Sequence, residues 1–185
     1  MSTHIAEEPS AVWRFTGRSN AVAVLSNGTA VLGLGDIGPE AAMPVMEGKA
    51  VLFKQFAGVD AYPVCVDAPT VDDVVAVGAA IAPTFGGINL EDIKAPECFE
   101  IEERLQEMLD IPIFHDDQHG TAIVVVGALL NAAKVIGRPI SELSVTIVGT
   151  GAAGVACAHL LAEIGIGDII GVDSRGILDL SLIHI

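Results

Sequence analysis

The sequence predicts an α/β fold with mainly parallel sheets, on three observations. Short apolar runs alternate with stretches of helical spacing along most of the 185 residues, the pattern of a chain that winds helices over a sheet. Val145-Thr146-Ile147-Val148 leads into Gly149-Thr150-Gly151-Ala152-Ala153-Gly154, a strand, glycine turn and helix start. A further apolar run, Ile169-Ile170-Gly171-Val172, then ends in Asp173 about 20 residues on, which completes a βαβ half-unit.

The elements follow in order. Residues 21–25 and 30–32 are apolar and flank Ser26-Asn27-Gly28-Thr29, and Asn-Gly between such runs predicts a β-hairpin. Residues 39–56 have helical spacing with Pro44 near the start, and Val64-Cys65-Val66 reads as a short buried strand. Residues 72–81 form the next helix, capped by Thr70, with Asp72 and Asp73 in the first turn where the helix dipole favours acids. Gly86-Gly87-Ile88-Asn89-Leu90 is a strand and its exit. Residues 96–109 set Phe99, Ile101, Leu105, Met108 and Leu109 against Glu100, Glu102, Glu103, Arg104 and Glu107, which predicts an amphipathic surface helix. Beyond Ile111-Pro112-Ile113-Phe114, residues 120–136 are apolar nearly all round, so that helix is expected to lie buried between layers. Gly137-Arg138-Pro139 stops it and marks a domain boundary. The expected divisions are a first domain over 1–117, a connecting helix over 118–136, the start of a Rossmann-type dinucleotide domain over 137–176, and a tail over 177–185. Such a domain needs several more strands to cover both faces of its sheet. The chain is therefore expected to be incomplete, and open edges with uncovered apolar surface predict association or poor solubility.

Composition excludes several classes. At 51% hydrophobic the chain can bury a substantial core. A formal net charge of −15 opposes binding to nucleic acid. Residues 144–162 lack Asp, Glu, Lys and Arg over a membrane-spanning length, but glycines cluster there at a motif spacing and the apolar strand ends at them, so no membrane span is expected. The start, Met1-Ser2-Thr3-His4-Ile5-Ala6-Glu7-Glu8, has no basic region before an apolar core, and no signal peptide is read. Cys65, Cys98 and Cys157 are too few and too scattered for a zinc knuckle or a disulfide framework. Core packing in a reduced, cytoplasmic protein is the expectation for them.

Chemistry concentrates in a few places. Glu91-Asp92 and Asp116-Asp117 are two acidic pairs, each closing an apolar run. Carboxylates at the ends of two elements suit Mg²⁺ or Mn²⁺, which prefer oxygen and keep places for water and substrate. Any one such acid is equally well explained as a solvated turn or helix cap; two vicinal pairs make a metal site the leading reading. His115 and His119 lack the spacing of a helix-borne zinc motif and are given structural roles. Lys49 alone reads as a surface lysine, yet beside a metal or in a closed cleft such a residue can act as a base. In the glycine turn, Gly151 lets backbone approach a pyrophosphate, Gly154 lets helix pack on strand, and the helix N-terminus attracts the anion. Asp173 is placed to accept from a ribose 2′-hydroxyl, while Arg175 would instead hold a 2′-phosphate, so NAD and NADP both stay open. Gly33-Leu34-Gly35-Asp36-Ile37-Gly38 also follows a short run and precedes a helix, and is as much a tight turn as a ligand loop. Metal and nicotinamide together point to a dehydrogenase.

These motifs carry a family resemblance. Ser26 to Gly38, Val45-Met46-Glu47-Gly48-Lys49, Ala82-Pro83-Thr84-Phe85-Gly86-Gly87-Ile88-Asn89-Leu90-Glu91-Asp92 and Phe114-His115-Asp116-Asp117-Gln118-His119-Gly120-Thr121 closely resemble bacterial malic enzyme, in the right order. The likeness runs from about Ile5 to Gly176. It implies an N-terminal malic enzyme α/β domain followed by the first βαβ half-unit of a Rossmann-type NAD(P)-binding domain. It also implies oxidative decarboxylation of (S)-malate to pyruvate and CO₂, with NAD or NADP and with Mg²⁺ or Mn²⁺. Under the resemblance Lys49 matches the base that takes the C2 hydroxyl proton, Asp116 lies where it would orient Lys49, and Glu91, Asp92 and Asp117 match the metal ligands. Gly33, Leu34, Gly35, Asp36 and Gly38 match a cofactor or substrate loop, and Gly149, Thr150, Gly151, Ala152, Ala153 and Gly154 the pyrophosphate turn, with Asp173 beyond it. The family's tyrosine acid has no counterpart, since Tyr62 does not align with it, and the asparagines that grip substrate and nicotinamide are absent. The chain is thus expected to be an inactive fragment of an enzyme that works as a homo-oligomer. The other readings are a non-catalytic NAD(P)-binding module and an oxidoreductase acting on a different 2-hydroxy acid.

Overall fold

The structure is a computed structural model that describes residues 1–178; residues 179–185, most of the expected tail, lie outside the described residues. The chain divides into two compact units, the first being Met1–His115 and the second beginning at Asp116.

In the first unit α1 (Ser2–Glu7) and α2 (Val12–Phe15) precede β1 (Ala21–Ser26). There follow α3 (Pro39–Leu52), β2 (Asp60–Cys65), α4 (Val71–Ile81), β3 (Gly87–Leu90), α5 (Glu97–Met108) and β4 (Ile113–His115). The four strands form one parallel sheet in the order β2-β1-β3-β4. Covered on both faces, its inner strands are near-continuous in apolar side chains: Ala23, Val24 and Leu25 of β1 are fully buried, as are all four residues of β3.

The expected hairpin is corrected. Both edges of β1 are occupied by parallel neighbours, β2 and β3, which leaves no edge for a returning strand, and Val31 makes only an isolated bridge to Gly35. The Asn-Gly signal marks a turn of another kind. The Ser26 hydroxyl accepts from the Gly28 N–H at 3.0 Å, and the Gly28 carbonyl accepts from Ile37 and Gly38 at 3.1 and 3.2 Å, closing residues 28–38 into a loop. Gly28 has φ +68°, and a Cβ there would run into the Gly38 carbonyl.

The strand expected at Val64-Cys65-Val66 begins earlier, at Asp60, and is half-buried because β2 is a sheet edge. An edge also tolerates Pro63, which has no N–H to donate. Thr70 caps α4 as expected, in a reciprocal box with Asp73. In α5 the buried stripe is Cys98, Ile101, Glu102 and Leu105, so Glu102 lies inward and Met108 is exposed. The placement of these two on opposite faces is corrected by the i, i+3, i+4, i+7 spacing of that stripe.

The second unit contains α6 (Asp116–Ile136), β5 (Ser144–Val148), α7 (Ala152–Glu163), β6 (Asp168–Asp173) and β7 (Gly176–Ile177). β5 and β6 are parallel, and β7 adds an antiparallel edge. The crossover through α7 makes β5-α7-β6 the βαβ half-unit read from the sequence. Two expectations are corrected for α6. It begins at Asp116 with no loop after β4, so Asp116 to His119 are helical. It is also not enclosed: Ile123 is 57%, Val124 71% and Val135 86% exposed, and its buried residues are Gln118, Ala122, Val126 and Ala133.

Candidate active site

Strand order reverses between β1 and β3: the chain leaves β1 for β2 on one side, then returns to lay β3 and β4 on the other. Beyond the carboxyl ends of such a pair lies the crevice in which open α/β sheets bind ligands. The exit of β1 supplies Ser26 and the 28–38 loop; the exit of β3 supplies Glu91 and Asp92. Glu91 still belongs to the sheet, its N–H donating to Leu25 at 3.0 Å. Asp92 breaks away with φ +52°, a left-handed conformation that aspartate tolerates better than most residues. Its carbonyl accepts from Ala30 at 2.9 Å, and the Lys94 N–H donates to the Thr29 hydroxyl at 3.1 Å. The start of the loop is thereby fastened beside the acids.

Glu91 and Asp92 are both buried. Lys49, in the last turn of α3, places Nζ 3.0 Å from Glu91 Oε1. Glu91 Oε2 accepts from Asn89 Nδ2 at 2.8 Å. The structure therefore brings Lys49 into contact with Glu91, and Asp92 is the next residue of the chain.

Asp116 and Asp117 directly follow β4 in the chain and open the second unit. His115, the last residue of that strand, is in register with Leu90, the residue before Glu91, and its N–H donates to Glu102 Oε1 at 2.8 Å. The two acids that follow form the first turn of α6, where the helix N-terminus favours carboxylates. The Asp116 carboxylate lies over Gly120, whose missing side chain makes room for it. In the 28–38 loop, Gly33, Gly35 and Gly38 have φ of +78°, +75° and +78°, while Leu34 and Asp36 are exposed.

In the second unit Gly149 turns at φ +98° and donates to the Val172 carbonyl at 2.8 Å, which sets the glycine turn against the end of β6. A Cβ on Gly154 would strike the Gly149 carbonyl, whereas one on Gly151 would meet open space. Gly154 thus permits close packing, and Gly151 borders solvent. Thr150, Ala152 and Ala153 are half-buried beside it, and α7 starts without a side-chain cap, so its first N–H groups face the turn unoccupied by side chains. Asp173 accepts from Arg175 through its backbone N–H at 2.7 Å and its guanidinium at 3.0 and 2.8 Å. The Arg175 side chain holds the Asp173 carboxyl below the usual carboxylate range. Burial pushes the Cys65 and Cys157 thiols up, in keeping with inert packing.

Two residues at the site escaped the sequence reading, Asn89 and Glu102. Both left a signal: Asn89 is an amide inside an apolar strand two residues before Glu91, and Glu102 falls at the i+4 position of the α5 apolar stripe.

These features define an α/β protein with a lysine and carboxylate cluster at a strand-end switch point, followed by a glycine-turn βαβ half-unit. The family model described as malic enzyme, N-terminal domain, matches residues 3–71 and 68–106. The chain is 59% identical over 174 residues to the NAD-dependent malic enzyme of Geobacillus stearothermophilus, covering 94% of this chain and 36% of that protein. It is 53% identical over 176 residues to the NADP-dependent malic enzyme of Escherichia coli, covering 94% and 23%. Among solved structures, the NAD-dependent malic enzyme of Thermotoga maritima matches with a TM-score of 0.93 at 49% identity, covering 97% of this chain and 48% of that one. The chain belongs to the malic enzyme family, and it spans less than half the length of these relatives.

Proposed function

We propose that this chain contributes the base, the metal ligands and the first half of the dinucleotide site to the oxidative decarboxylation of (S)-malate to pyruvate and CO₂. The observation that carries the reading is the contact between Lys49 Nζ and Glu91 Oε1 at 3.0 Å beside the switch point of the sheet. In support, its relatives are named as NAD- and NADP-dependent malic enzymes. In this reading residues 1–117 serve substrate and metal, 118–136 connect, and 137–176 open the NAD(P) domain.

Glu91, Asp92 and Asp117 would hold Mg²⁺ or Mn²⁺. The donor set fits: all three offer hard oxygen, two are buried at one strand end, and Glu91 already takes a cationic partner in Lys49. A bound cation would supply Lewis-acid polarisation of the substrate C2 oxygen. Lys49 receives the C2 hydroxyl proton at Nζ, and Asp116 orients it. The burial of Glu91 and Asp92 keeps water from the side of the site they form, which strengthens every charge interaction there. Gly33, Leu34, Gly35, Asp36 and Gly38 shape a loop that serves cofactor or substrate. The turn from Gly149 to Gly154 receives the pyrophosphate of NAD(P) at the start of α7. Asp173 and Arg175 face its 2′ position, the first as acceptor for a hydroxyl and the second as partner for a phosphate.

Calorimetric titration of the chain with Mn²⁺ tests the ligand set. Binding is expected, and Asp117→Asn should weaken it by about tenfold or more, since even loss of an outer-shell partner commonly costs that much. Equal affinity in the two proteins would remove Asp117 from the site.

A further inference from the structure

We infer that Asn89 is a positioning residue: its amide fixes the rotation of the Glu91 carboxylate and so decides which oxygen is presented to Lys49 and to a bound cation. The inference rests on the reading of Glu91 as a metal ligand.

Asn89 stands where a parallel sheet ordinarily places an apolar side chain. Across the sheet its row reads Pro63, Val24, Asn89, Phe114, and Asn89 is the one polar member. It is 4% exposed, so its amide has exchanged water for protein partners, which is unfavourable unless those partners bond it. Side chains two apart on a strand share a face, and Glu91 is that neighbour. The contact has one chemical sense. An ionised carboxylate only accepts, so the amide nitrogen must be the group that faces it, and Nδ2 lies 2.8 Å from Oε2.

The terminal torsion of a glutamate is a broad, roughly two-fold rotor. With the amide held on Oε2 and Lys49 Nζ 3.0 Å from Oε1, that rotor is stopped and the two oxygens become inequivalent. Lys49 lies on a separate helix, α3, whereas Asn89 belongs to β3, and Glu91 follows directly at its exit with its backbone N–H bonded to Leu25. The amide is therefore the more rigid of the two restraints, and it stays in place when a cation takes the other oxygen. Leucine is close to asparagine in shape and would suit the row, as Val24 does next to it, so packing alone gives no reason for an amide here.

The test uses the 185-residue chain, with bound Mn²⁺ read from the loss of the free aquo-ion resonance and thermal midpoints recorded beside it. Asn89→Leu should bind Mn²⁺ about 10- to 100-fold more weakly, the range for a lost outer-shell partner, with a midpoint unchanged or raised. Asn89→Gln, which keeps the donor, should recover at least half of that loss on a logarithmic scale. If Asn89→Leu leaves affinity unchanged while Glu91→Gln abolishes binding, the inference fails and the ligand reading stands. No effect of either substitution, or no binding by the unsubstituted chain, removes both. A weakened Asn89→Leu whose midpoint falls sharply and which Gln does not rescue assigns the amide to folding alone and overturns the inference.

Discussion

Asp92 is the one non-glycine residue with positive φ among the described residues, and it directly follows an acid paired with a lysine. Strain of this kind persists where the surroundings over-determine it, and it gathers at functional sites. Here the surroundings are the sheet bond from Glu91 to Leu25 on one side and the Ala30 bond to the Asp92 carbonyl on the other. Alanine has no polar side chain to favour the left-handed region and glycine enters it freely. Asp92→Ala should therefore be less stable than Asp92→Gly by about 1 kcal/mol, a backbone effect independent of the lost carboxylate. Denaturant melts of the two variants decide it, and equal midpoints would mean that the turn is unstrained. At this scale the contact of Lys49 with Glu91 joins two residues that the sequence had already singled out, because their types and order in the chain carry the family resemblance. Asn89 and Glu102 were not, since an amide or a carboxylate acquires its meaning from the group it meets, and Glu91 and His115 meet them only in the folded sheet.

Elements reveal where a local signal was true and its context was missing. Asn27-Gly28 does turn the chain, but competition for the edges of β1 decides what the turn connects. The strand, turn and helix from β5 to α7 were fully legible, because the third glycine answers to local sterics alone. Gly154→Ala would gain up to about 1 kcal/mol of helix propensity. Its Cβ would also strike the Gly149 carbonyl, which is backbone held by the bond to Val172 and has no rotamer to escape into. Overpacking of this sort costs about 1–3 kcal/mol, so the net effect should be a lower thermal midpoint by circular dichroism. Gly151→Ala, whose Cβ enters open space, should leave the midpoint near its original value yet weaken NAD(P) binding by narrowing the approach to the backbone. A Gly154→Ala protein as stable as its parent would show that α7 does not depend on this close approach.

For the molecule as a whole, the question is what the apolar surface of α6 does. By length and composition α6 could cross a membrane, yet it is two-sided: Gln118, Ala122, Val126 and Ala133 are buried while Ile123, Val124, Leu130 and Val135 are exposed. Helical spacing groups the second set as a stripe, with 123 and 130 seven residues apart and 124 and 135 eleven apart, close to whole numbers of turns. A stripe of that kind drives association in water, where its burial is worth roughly 25 cal/mol per Å². The net charge of −15 opposes close approach of copies, but only over a Debye length of about 8 Å at physiological salt, so apolar contact should prevail. The chain is therefore expected to run above its monomer mass of 19.1 kDa in light scattering coupled to gel filtration, more so as salt rises. Val124→Glu with Val135→Glu should return it toward the monomer by adding charge to the stripe. A parent chain that stays monomeric at high salt would show that this face is not an association surface, and the salt series separates that result from simple charge repulsion.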